Sequence, residues 1–452
     1  MTNIFMSKTL RSRLKAGVAL AAICSQLALT AGPASAFCGF YVAKADAKMF
    51  NKSSKVVLAR IGQQTAITMA SDYEGKPSEF ALVVPVPSFI KKDQIGVVDT
   101  KTVDHLDAFT APRLVEYYDP NPCETVSRVA AVPLTAATPA GLPVPQQHEY
   151  RGVKVEAQYD VAEYDISILS ADESDGLIRW LTDNGYKIPA GADPVVGSYI
   201  KQKMHFFVAK VNIKRFDALR RAYLQPLQVR YETGKFMLPL RLGTVNANGP
   251  QDLTIYALTR KGRVEVTNYR TVKVPSNVDV PLFVARDFTN VYKALFDRAV
   301  AHENMHGVFA EYAWDMGWCD PCAAQPLSNP ELAELGDSWV PGGSGNGVAN
   351  RSPQSNPPSA FVTRLHVRYD AQSFPEDLNF IETSDRENFQ ARYILHHPYT
   401  GAASCKAERV YQAALPDRFK QEADNLADLT GWPRNTIAAR MAATGQPISG
   451  AN

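Results

Sequence analysis

The sequence predicts an α+β fold: β-rich N-terminal and middle lobes, one long amphipathic helix and a helical C-terminal part. Three observations predict it. Short apolar or alternating runs of strand length recur between Val56 and Val266, bounded by turn residues. Phe288 to Met316 instead spaces its apolar residues at a helical period. Asp417 to Leu429 does the same, with Phe419, Ala423 and Leu426 on one face and Gly431 and Pro433 to close it.

In chain order, Val56–Arg60 and Thr65–Met69 flank Gly62 as a hairpin. Phe80 to Pro87 is an apolar run whose two prolines favour an edge position or a strand end. Val103 to Tyr118 has helical character that Pro112 should interrupt. Residues 125–148 turn to Ala, Pro and Thr, a connector composition. Val153–Ala157 and Tyr164–Ile168 alternate as two strands. Asp175–Asn184 reads as a helix stopped by Gly185. Strands are expected at Phe206–Val211, Gln228–Tyr231, Leu238–Leu242, Thr254–Leu258 and Val264–Val266. After a Gly-, Ser- and Pro-rich linker over 335–360 come strands at Phe361–Tyr369 and Gln390–Leu395, then a helix at Asp417–Leu429 and another at Asn435–Ala443.

The first 36 residues are read as a signal peptide. Lys8, Arg11, Arg13 and Lys15 precede an apolar run, and Ala34-Ser35-Ala36 is a small-x-small cleavage site. Of 48 basic and 46 acidic side chains, four basic ones leave with it, so the mature balance is 44 against 46. That near-neutral chain, without blocks of like charge, has no footprint for nucleic acid. No later segment reaches the ~18 apolar residues of a transmembrane anchor. The expected product is exported, periplasmic or secreted, with an envelope protein or a small-molecule ligand as its partner. The mature chain divides into a lobe over 37–124, the connector 125–148, a middle lobe over 149–334, the linker 335–360 and a final part over 361–452. Its cysteines are Cys38, Cys123, Cys319, Cys322 and Cys405, expected to form two disulfides and one free thiol. Cys38 and Cys123 bracket the first lobe and are the first pairing considered; Cys319 or Cys322 could then reach Cys405.

The chemical motifs crowd into Phe288–Cys322. His302-Glu303-Asn304-Met305-His306 is an H-E-x-x-H. On a helix at ~100° per residue, both histidines fall on the apolar face, while Asp297, Asn304 and Glu311 fall on the solvent face. Two imidazoles one turn apart can hold zinc, with Glu303 as the catalytic base and Glu331 or Glu334 as third ligand. The competing reading is a pair of buried, hydrogen-bonded histidines, which needs no cofactor. Trp318-Cys319-Asp320-Pro321-Cys322 is a W-C-x-P-C. A thiol–disulfide exchanger places such a pair at a helix start. Here it follows the expected helix, so structural disulfide use is favoured over redox activity.

Several stretches resemble the DUF2330 family of exported bacterial proteins. They are CGFYVAKADAKMFNKSSKVVLAR (38–60), EFALVVPVP (79–87), VDHLDAFTAPRLVEYYDPNPC (103–123) and EYAWDMGWCDPC (311–322). FVTRLHVRYD (361–370), PEDLNF (375–380) and FQARYILHHP (389–398) extend the resemblance, which spans 37–441. It implies export and a characteristic Trp-Cys-x-Pro-Cys loop, without an established activity, cofactor or partner. The reading is therefore an exported structural or binding protein of the cell envelope. A zinc hydrolase built on His302, Glu303 and His306, or a redox pair of Cys319 and Cys322, are the alternatives.

Overall fold

The computed structural model describes residues 40–448, apart from 45–49, 75–79, 125–153, 172–173, 189–190, 220–222, 246–248, 319–324, 337–359 and 403. The signal peptide, the connector, most of the linker, Cys38, Cys319 and Cys322 lie outside the described residues. From the N-terminus come β1 (Phe40–Lys44), β2 (Phe50–Ile61), β3 (Gln64–Glu74), β4 (Phe80–Val86), β5 (Ile95–Val97), helix α1 (Thr100–Thr110) and β6 (Arg113–Tyr118). Next are β7 (Lys154–Val161), β8 (Tyr164–Ser170), α2 (Ser174–Asp183), β9 (Tyr186–Lys187), α3 (Ala192–Lys201), β10 (His205–Val211) and α4 (Ile213–Ala218). Then follow β11 (Leu227–Glu232), β12 (Met237–Leu238), α5 (Arg241–Val245), β13 (Gln251–Thr259), β14 (Val264–Val266), β15 (Arg270–Lys273) and β16 (Val278–Asp279). The last are α6 (Phe288–His302), β17 (Gly307–Asp315), α7 (Asn329–Glu334), β18 (Phe361–Tyr369), β19 (Leu378–Glu382), β20 (Phe389–Gln390), β21 (Arg392–His397), α8 (Lys406–Thr430) and α9 (Arg434–Ala442).

Two large sheets face each other. One runs β7-β8-β10-β4-β1-β9; the other runs β15-β17-β18-β13-β2-β3-β11-β5, with β20 beside β17. Strict alternation on the central strands builds three layers of apolar contact. Val56 and Leu58 of β2 point between the sheets, meeting Leu82, Val84 and Phe207. Val57 and Ala59 point the other way, onto Val103, Leu106 and Phe109 of α1 and Leu332 of α7. Beyond the six-stranded sheet, Val83, Phe206 and Val208 pack on Leu177, Leu181, Val196 and Tyr199 of α2 and α3. The result is a helix–sheet–sheet–helix stack. Each large buried side chain of this kind stabilises by ~1.5–3 kcal/mol.

The α+β class holds, and so do the β2–β3 hairpin, the strands β7 and β8, and the helix stopped by Gly185 at φ 85°. Pro112 ends α1 as expected, but the residues after it form a strand. The segments read as separate lobes share one sheet, because β2, β3 and β5, then β11, β13, β15 and β17, and finally β18 all pair within it. The run with two prolines is an interior strand, β4, flanked by β10 and β1. Pro85 is tolerated because it lies past the last β1 pair, Phe40 with Val83, and Pro87 lies past the strand. Leu238–Leu242 is split, with only Met237–Leu238 in a strand and α5 starting at Arg241. Helix α8 starts at Lys406 rather than after Pro416, whose missing N–H costs one bond on an exposed stretch.

The largest correction concerns the stretch from Phe288. Helix α6 ends at His302 and β17 begins at Gly307. The stop is a Schellman motif: Asn304 N–H donates to Ala301 O (3.1 Å) and Met305 N–H to Val300 O (2.9 Å). Asn304 and Met305 take φ 49° and 64°, and asparagine is the residue besides glycine that adopts this conformation most readily. Met305 closes the motif by packing into the cluster of Val300, Phe296 and Phe309. Gly307 sits in a tight spot here, since a Cβ would stand 3.0 Å from Glu303 Cβ and from Phe309 Cζ.

A small parallel sheet, β16-β21-β6, carries the helical C-terminal part. Tyr393 and Leu395 of β21 pack with Phe419, Ala423 and Leu426 of α8, Ile437 and Met441 of α9, and Val291 and Leu295 of α6. Cys123, just after β6, is disulfide-bonded to Cys405, which precedes α8 (Cα–Cα 6.0 Å). This replaces both pairings considered from sequence, because the parallel β6–β21 ladder brings residue 123 beside residue 405.

Candidate functional site: a buried charge ladder on β18

Alternate residues of β18 point to opposite faces, which gives Phe361–Tyr369 two unlike sides. Leu365, Val367 and Tyr369 enter the inter-sheet core. The other side presents Arg364, His366 and Arg368 in a row. Opposite them, β17 has a bulge: Ala310 pairs with Leu365 and Tyr312 with Arg364, leaving Glu311 as the extra residue. The bulge delivers Glu311 onto this row, where it is 0 % exposed. Placing it on a solvent-facing helix surface is thereby corrected, because residue 311 is in a strand.

Each Glu311 oxygen is occupied. Oε2 accepts from Arg364 Nε at 2.6 Å; Oε1 accepts from Tyr292 Oη of α6 at 2.5 Å and lies 2.8 Å from His366 Nδ1. Burial opposes its ionisation, but His366 and Arg364 overcome this and hold the carboxyl at about 2. Arg364 reaches across to α1, donating to Asp107 Oδ1 (2.6 Å) and Asp107 O (3.0 Å). Asp107 also meets Lys55 Nζ at 2.7 Å and accepts from Tyr256 Oη at 2.8 Å. Burial likewise opposes its charge, and Arg364 and Lys55 bring it down to about 2. Further along, Phe296 stacks flat on His366 (3.7 Å between centroids), and Arg368 forks onto both Asp252 oxygens (2.7 and 2.8 Å). Arg368 Nη1 also reaches Asp297 of α6 at 2.6 Å.

Lys55, Arg364, Asp107 and Glu311 thus form two cations against two anions within one network. Its partners come from β2, α1, α6, β17 and β18, so it ties the outer helices to the sheet. Fully paired charges of this kind favour one arrangement of the packed elements over its competitors.

The residues singled out from sequence stand elsewhere. His302 is 85 % exposed at the side chain, 3.6 Å from Glu303 Oε1. Glu303 is mostly buried and pairs with Arg270 at 3.1 Å. His306 is exposed and places Nδ1 2.6 Å from Asn304 O within its own turn. With the helix ended, the two histidines do not share an apolar helix face, so both the inward-facing picture and the one-turn zinc geometry lose their premise. Glu331 instead caps α7 through Ser328 and meets His105 Nδ1 at 2.7 Å. Burial opposes its charge, and the hydrogen bonds from His105 and Ser328 lower it to about 2. Glu334 accepts from Asp99 N and Thr102 Oγ1, both at 2.6 Å. Both carboxylates therefore serve α1. Among the described residues, no group of three or more His, Cys, Asp or Glu is arranged to hold a metal ion.

The family model described as "Uncharacterized protein conserved in bacteria (DUF2330)" matches residues 32–381. The chain belongs to the DUF2330 family. The match takes in both large sheets up to β18 and the whole charge ladder, and it ends inside β19. β20, β21, α8 and α9 lie beyond it, so the resemblance traced to residue 441 is shortened to this range. No curated protein and no solved structure matched the chain. Among the described residues, no helix is long and apolar enough to cross a membrane.

Proposed function

We propose that this DUF2330 protein is exported and has a structural or binding role in the bacterial cell envelope. The Cys123–Cys405 disulfide carries the reading: it joins positions 282 residues apart, and such bonds persist outside the reducing cytoplasm. The leader over residues 1–36 supports it. The paired charges of the β18 ladder support the structural half, since they hold helices to a sheet and each named carboxylate oxygen faces a protein donor.

Fractionation of cells carrying the tagged full-length chain tests the proposal, with mass spectrometry of its N-terminus. The expected product begins at Phe37, leaves the cytoplasm and carries a Cys123–Cys405 bond on non-reducing peptide mapping. An uncleaved cytoplasmic chain with both thiols free would overturn it.

A further inference from the structure

The disulfide is built asymmetrically. Cys405 is the N-cap residue of the 25-residue helix α8, and its Sγ accepts a hydrogen bond from Glu408 N–H at 3.4 Å. Cys123 lies in the exposed turn after β6, where its N–H donates to Asn121 Oδ1 at 3.0 Å. The chemistry of the two sulfurs follows from these places. A thiolate at a helix N-terminus is stabilised by the unpaired N–H groups and the helix dipole, which lowers its pKa. In thiol–disulfide exchange, the sulfur that is reached is attacked and the sulfur of lower thiol pKa leaves faster. Lys406 and Glu408 place opposite side-chain charges in the first turn, so the backbone sets the preference.

We infer that Cys123–Cys405 is a directional thiol-exchange site, taking small thiols or the dithiol of an oxidoreductase. An incoming thiolate attacks Cys123 Sγ, forming a mixed disulfide there, while the S–S bond breaks and Cys405 departs as the thiolate. With a dithiol, its second thiolate then attacks the mixed disulfide at the dithiol's own sulfur. Cys123 is released, the dithiol is oxidised to a disulfide, and its two electrons reside on the two protein thiols. The neighbouring fold has independent ties that outlast this opening. Asp119 Oδ2 accepts from Tyr411 Oη and from Arg418 Nη1, both at 2.6 Å, and these hold α8 to the end of β6. The inference goes beyond the envelope role and concerns the bond's chemistry wherever the chain resides.

The oxidised mature chain is treated with glutathione at neutral pH, quenched with acid, alkylated and mapped by mass spectrometry. The expected product carries glutathione on Cys123 and the alkyl group on Cys405, in at least ~10-fold excess over the reverse adduct. Equal adducts, or an excess of the reverse one, would overturn the inference, as would no exchange at glutathione levels that open the bond in urea. A second measurement uses Cys123→Ser, in which Cys405 is free. Its alkylation rate against pH should give a thiol pKa at least one unit below the ~8.5 of free cysteine; a value at or above 8.5 refutes the leaving-group assignment. The mapping of the wild-type chain stands whether or not this variant folds.

Discussion

Glu311→Gln is the sharpest perturbation of the charge ladder. The substitution keeps the shape of the side chain and an oxygen for Tyr292, but removes the charge shared by Arg364 and His366. Among the described residues, Arg364 then keeps only Asp107 as an anionic partner in a buried setting. Breaking one partner out of a buried ion pair costs ~3–5 kcal/mol. The same contacts hold the Glu311 carboxyl at about 2, well below its ordinary 4.5, against the opposing effect of burial. The sign follows from the depressed value: this stability is fully present above 4.5 and is lost as pH falls through about 2. Urea unfolding followed by tryptophan fluorescence should therefore place the variant ~3 kcal/mol below wild type at pH 7, with the gap closing as the pH approaches 2. Adding Arg364→Met to the variant should cost less than the sum of the two single changes, because the cation left behind is removed. A gap under ~0.5 kcal/mol at pH 7, or one that does not shrink in acid, would refute the account.

Glu422 of α8 predicts the opposite pH dependence. Burial raises its carboxyl to about 7, against the lowering effect of Gln446 and Arg418, so its stability contribution is complete below 4.5 and is lost as pH rises through about 7. Amide protection factors in α8 and α9, taken after dividing out the base-catalysed intrinsic rate, should fall over that window in wild type and stay flat in Glu422→Gln; parallel profiles would count against the assignment. Asn304→Val should cost ~1–2 kcal/mol in thermal or urea unfolding, whereas Asn304→Gly should be neutral or mildly stabilising. If valine is tolerated as well as glycine, the left-handed helix stop is not what ends α6. Gly307→Ala should destabilise by ~1–3 kcal/mol, since the added methyl meets Glu303 and Phe309 at 3.0 Å; an unchanged unfolding midpoint would show that the turn relaxes freely.

Much of the architecture was legible because its cause is local. The β2–β3 hairpin, the β7–β8 pair, the helix closed by Gly185 and the apolar face of α8 follow from period and turn chemistry within a few residues. The end of α6 was legible in principle too. Asn304, with Gly307 three residues on and then the β-rich run Val308–Trp314, is a helix stop and a strand, but a five-residue metal motif overlapping the stop suggested a continuous helix. The histidines of that motif were placed inward by a periodicity that ceases at His302.

By itself, then, the sequence determined the α+β class, a leader-like N-terminus, the family and the alternating row Arg364-His366-Arg368. Only the tertiary structure decided what that row meets. Asp107 comes from 257 residues away and Glu311 from 53, and the latter arrives only because a bulge in β17 turns it inward. The disulfide was decided in the same way, by a parallel ladder that sets residue 123 beside residue 405. Local sequence encodes the direction in which a side chain points along its own element. The partner it finds depends on sheet order and register, which arise from contacts that no short stretch contains.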